Sequence, residues 1–257
     1  MKYGYIAALL FLSIMARAQE DRSESIVQSS KLGWEIEIKA GFKIGGTAPI
    51  PLPREIREIN SYSPTLSIPF EANITKWLGV NRKWGVTSGL KTEDKSMITK
   101  ARVKNYSTEI IGDGGERVGG RWTGNVKTNV RTTYVTWPLL AAYRPNRRWT
   151  FHAGPYASIL IEGEFSGHVY DGYLREDDPT GPKIEFSDGR IAAYDFSREL
   201  RRFAWGMQAG ASWRAFKHLN VYADLSWGLN ELFKSGFNTV TFNMYPIYAD
   251  FGLGYVF

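Results

Sequence analysis

Eight stretches of this chain place an apolar residue at every second position, the period of a β-strand with one apolar face. The first is the clearest: Trp34, Ile36, Ile38, Ala40, Phe42 and Ile44 alternate with Glu35, Glu37, Lys39, Gly41 and Lys43. The others begin near Leu66, Trp84, Val135, Trp149, Phe203, Leu219 and Tyr245, and the last ends on Phe257. Three links between them are short and turn-like: Gly79-Val80-Asn81-Arg82, Pro145-Asn146-Arg147 and Phe216-Lys217. The other four, roughly residues 45–64, 92–131, 166–201 and 230–243, are long and polar and are expected to be loops. Within the second of these, Asp113-Gly114 reads as a hairpin tip, so the flanking strands should extend beyond the loop base.

Short turns on one rim and long loops on the other predict an all-β protein: an eight-stranded antiparallel up-and-down transmembrane β-barrel over residues 33–257. A soluble barrel would carry its apolar face inward. Here the polar face carries the small residues a crowded inner wall needs, among them Gly41, Gly89, Gly154, Gly210 and Gly252. The apolar face carries aromatics near the strand ends. Trp34, Trp84, Tyr143, Trp149, Trp213 and Tyr255 lie at the short-turn rim, with Phe42, Trp205, Trp227 and Tyr245 at the other, the two girdles expected at lipid interfaces.

The first residues fit export. Lys2, an apolar run from Ile6 to Ala16 and the small-x-small site Ala16-Arg17-Ala18 read as a cleaved signal peptide over residues 1–18, followed by a flexible segment to residue 32. The alternating last strand with Tyr255 and Phe257 resembles the signal that the outer-membrane barrel-assembly machinery reads, which puts both termini in the periplasm of a Gram-negative cell.

Composition narrows the chemistry. There is no cysteine, hence no disulfide and no thiol nucleophile. Loss of residues 1–18 removes Lys2 and Arg17 and no acid, taking the formal charge from +6 to +4, and without a basic run nucleic acid is not an expected partner. Expected partners are outer-membrane lipid and lipopolysaccharide, the assembly machinery, and a secretion-system or other envelope protein.

The inward face holds both signs of charge. Glu35, Glu37, Glu71, Glu162, Asp224 and Asp250 should meet Lys39, Lys43, Lys91 and Arg214, with His152 among them, as a polar network that plugs the lumen. The competing readings are a narrow porin-like solute channel and a lipid-modifying enzyme. For the second, His152 and Ser158 are six residues apart on one strand, about 20 Å, which leaves only a serine from another strand such as Ser212 or Ser226. No catalytic residue, cofactor or metal is assigned. Asp171, Glu176, Asp177 and Asp178 lack the alternating spacing of a calcium loop.

Tyr134 to Tyr143, Phe151-His152-Ala153-Gly154-Pro155-Tyr156, Trp205 to Gly210 and Asp224 to Asn230 together resemble the PorT-like outer-membrane β-barrel family of Bacteroidetes-type bacteria. The resemblance implies the barrel fold and the outer membrane, and an accessory role in secretion across that membrane. The segments around residues 100–130 and 167–200 depart from the family pattern.

Overall fold

The computed structural model describes residues 31–112 and 115–257, so the expected signal peptide, most of the segment after it and the expected Asp113-Gly114 tip lie outside the described residues. Among the described residues ten strands form: β1 (Trp34–Pro49), β2 (Ile56–Pro64), β3 (Phe70–Leu78), β4 (Trp84–Ile111), β5 (Arg117–Tyr143), β6 (Trp149–Glu176), β7 (Lys183–Asp195), β8 (Phe203–Arg214), β9 (Leu219–Gly228) and β10 (Met244–Val256). Eight of them close a ring in the order β1-β3-β4-β5-β6-β8-β9-β10, and β10 pairs back onto β1. Every pairing is antiparallel. Closure joins the last strand to the first, the condition for a sheet to sit in hydrocarbon. Among the described residues no helix is long and apolar enough to cross a membrane.

Partition of side chains follows the alternation. On β1, Trp34, Ile36, Phe42 and Ile44 are exposed while Lys39 and Lys43 are buried; on β3, Phe70 and Ile74 are exposed while Glu71 and Asn73 are buried. An outer surface of Trp, Phe, Leu and Ile over a charged interior is the reverse of a water-soluble barrel, and it is stable only against lipid. At the short-turn rim Trp84 packs on Tyr143 with centroids 4.5 Å apart. There the side chain of Asn146 accepts from the amides of Arg148 and Trp149, closing the turn between β5 and β6.

Three of the four expected loops are instead mostly strand. β4, β5 and β6 run for 28, 27 and 28 residues, whereas about 9–11 cross a bilayer. Their upper halves pair with one another and with the added strands β2, on β4, and β7, on β6, as a module standing above the barrel. Only the link before β10 stays largely irregular. The module has its own core: Val103, Ile110, Trp122, Val126, Val130, Phe165, Val169 and Leu174 are buried together. Phe233 and Phe237 of the irregular link lock onto it through Phe165 (4.9 Å between Phe165 and Phe233) and Phe196 (5.1 Å between Phe196 and Phe237).

Candidate functional site

The polar lumen is built in layers from residues that alternate inward on successive strands. At the short-turn end Arg144 grips Glu35 through two contacts of 2.8 and 3.0 Å, and Arg214 reaches the same carboxylate at 3.4 Å. The Arg144 guanidinium lies over the ring of buried Trp77, 3.8 Å from its centroid. Asn220 donates to Glu37 at 2.6 Å.

One layer up, Asp224 is shared. His152 Nε2 lies 2.5 Å from one of its oxygens, and Lys39 and Gln208 each stand 3.5 Å from the other. Gly210 makes this possible, because a Cβ there would lie 1.9 Å from the Asp224 carboxylate. Glu71 pairs across the ladder with Lys39 and accepts from Asn73 at 2.7 Å.

Higher still, Asp250 binds Lys43 at 2.6 Å and Lys91, while Glu93 binds Lys43 at 2.7 Å, Lys95 at 3.1 Å and Lys91 at 3.4 Å. Thr136 donates to the second oxygen of Glu93 at 2.7 Å. The Lys95 ammonium faces the rings of Tyr134, Tyr156 and Tyr248 at 4.9 to 5.7 Å, which forms a ceiling. Above it the apolar core of the module begins at Met97.

Buried ions of one sign would be prohibitively costly, so the arrangement survives because each cation has a carboxylate in reach. The lumen has little room left: the cavity between Glu35, Glu37, Lys39 and His152 measures about 20 Å³, enough for roughly one water.

Glu35, Glu37, Lys39, Lys43, Glu71, Lys91, His152, Arg214, Asp224 and Asp250 thus all face the lumen and interconnect. Glu162 does not; it is exposed on the outside. The reason is a bulge in β6, where Thr133 pairs with Glu162 but Tyr134 with Leu160. One extra residue exchanges the two faces, so inward positions pass from Ser158 and Leu160 to Gly163 and Phe165. Sequence reasoning missed Glu93, Lys95 and Arg144. The spacing of Lys91, Glu93 and Lys95, each two apart on the face already assigned inward, carried the signal for the first two.

The His152 ring nitrogen is taken up by Asp224, and Ser158 bonds Thr136 at 2.7 Å. Among the described residues there is no cluster of metal-ligating side chains. In the module, burial pushes the Tyr106 and Tyr194 phenols up, so both stay neutral, and burial with Lys127 and Lys100 nearby lowers the His168 imidazole. Tyr255 points outward, its ring on His218 (5.7 Å) and edge-on to Phe257 (5.0 Å).

A family model described as outer membrane protein beta-barrel domain matches residues 17–234. The chain belongs to this outer-membrane β-barrel family. Solved structures similar to this outer-membrane barrel include the attachment invasion locus protein Ail of Yersinia pestis, at 11% identity and TM-score 0.38, covering 87% of this chain and 98% of Ail. OprG of Pseudomonas aeruginosa matches at 10% identity and TM-score 0.31 (87% and 95% covered), and the outer membrane protease OmpT of Escherichia coli at 14% and 0.32 (87% and 96%). Comparison with curated protein sequences gives no match.

Proposed function

We propose that this outer-membrane barrel is a closed, non-enzymatic anchor whose work is done by the folded module it holds above the membrane. One observation carries the reading: the strands that make the barrel wall continue without a break into a module with a separate apolar core, while the lumen beneath is filled by paired charges. A conducting path would have to break the Glu93 and Asp250 clusters and then cross the apolar core above them. Residues 1–18 are removed on export, both termini lie in the periplasm, and Tyr255 with Phe257 serve as the assembly signal. The module meets another envelope component, and the resemblance to the PorT-like family favours one involved in secretion.

Two measurements test this. In planar bilayers the purified protein should show no steady unitary current; regular current steps would overturn the closed anchor. Crosslinking on intact cells should trap an envelope protein on the module and lose it when residues 98–131 are replaced by a short turn.

A further inference from the structure

The barrel wall has a seam. β1 pairs with β3 only from Trp34 to Ala40, with one further bridge from Lys43 to Ser67. Above that point the edge of β1 faces β2, and the two form no ladder. Tyr62 crosses the seam and donates to the carbonyl of Gly45. Behind it lies a cavity of about 310 Å³, roughly twice the size of an engineered apolar cavity that takes up benzene.

The cavity is long as well as apolar. Met97, Thr99, Ala101 and Val103, four successive same-face positions of β4, line it over about 20 Å of strand. Val126 and Phe165 back it, and the hydroxyls of Thr99 and Thr128 are among its few polar groups. Its lower wall includes Ile247, which pairs with Trp227 of the upper aromatic girdle, so the cavity starts at the level where lipid ends. Its mouth is apolar too. Ile59 and Tyr62 line the cavity and are also half exposed, and Ile50, Leu52, Leu66 and Ile68 stand exposed in the segments flanking β2. Apolar side chains here carry the lipid-facing belt upward past the rest of the barrel, a surface that marks an interaction site rather than an ordinary loop.

We infer that this cavity binds the single unbranched hydrocarbon chain of a fatty-acid-like amphiphile, entering sideways through the seam between β1 and β2. Its lining is mostly apolar, and its length along β4 suits an extended chain lying parallel to the strand.

The test uses the full-length mature protein in nanodiscs of phosphatidylethanolamine and phosphatidylglycerol, with dansylundecanoate as the probe. Saturable, blue-shifted emission is expected, displaced by dodecanoate and not by hexanoate. Ala101→Trp, which fills the cavity, should weaken binding about tenfold or more. Thr99→Phe does the same from a neighbouring position, and each variant is first checked for the gel shift between boiled and unboiled samples that reports a folded barrel. Leu139→Trp, on the lipid face away from the seam, should bind as wild type. Non-saturable partitioning, wild-type affinity in a folded cavity-filling variant, or a multi-chain lipid found in the cavity by native mass spectrometry would each overturn the inference.

Discussion

The lower and upper halves of β4, β5 and β6 are the same strands in two solvents, and they are built inside out relative to each other. In the barrel, Leu90, Trp137 and Ile159 face outward and Lys91, Thr136 and Ser158 inward; in the module, Val126, Val130 and Phe165 face inward and Lys127, Arg131 and Glu164 outward. The backbone is continuous, so the difference lies in what surrounds it. Lipid can satisfy no polar group, which makes a paired-charge interior the place for every ion; water satisfies them freely, which returns the module to an ordinary apolar core. The β6 bulge at residues 160–162 marks the change on that strand. On β4 the equivalent shift comes higher, between Val103 and Tyr106, where Asn105 takes a positive φ of 56°.

The strongest way to break this comparison is through the carboxylates on its two sides. Glu93→Ala leaves Lys43, Lys95 and Lys91 crowded in the lumen and should cost about 3–5 kcal/mol in urea unfolding from lipid vesicles. Glu162→Ala, at the bulge and on the outer surface, should stay within about 0.5 kcal/mol. Equal effects would mean that the bulge does not exchange the faces.

A charge added to each outer surface gives a smaller contrast. Leu253→Arg, on the lipid face, should destabilise by about 2 kcal/mol or more. Asn129→Arg, outward on β5 and beside Glu164, should be neutral within about 0.5 kcal/mol. A penalty at Asn129 as large as that at Leu253 would bring the module into the bilayer.

The smallest effect concerns pH and is confined to the module. Asp195 accepts from the Ser197 side chain and, at 2.9 Å, from its amide, and these bonds hold its carboxyl below the usual value of about 3.9. A lowered folded pKa contributes stability that is present above the unfolded value and lost as pH falls through the folded one. Hydrogen exchange at the Ser197 amide should therefore lose protection below about pH 4 in the wild type, and show no such step in Asp195→Asn.

Much of the barrel was legible because its alternation is undiluted: Trp34 to Ile44 and Leu219 to Leu229 each present one apolar and one polar or small face. The upper strands were hidden by the same rule applied to a different solvent. On β5, Trp122, Val126 and Val130 are separated by Gly124 and Thr128, so the inward face is apolar only at every fourth residue, and the segment reads as a polar loop. Glu162 was misassigned because parity can be counted along a sequence only until a bulge intervenes, and nothing in Leu160-Ile161-Glu162 announces one.

What the sequence determined by itself was local: the two-residue period, the short turns at one rim, the aromatics at strand ends and the balance of charge on the face away from lipid. Those are properties of single strands, and a strand's faces are set by its own alternation. Which carboxylate meets which ammonium, where β6 exchanges its faces, and the seam between β1 and β2 depended on register between strands far apart in the chain. Lys91 and Asp250 are 159 residues apart, and only closure of the ring brings them together.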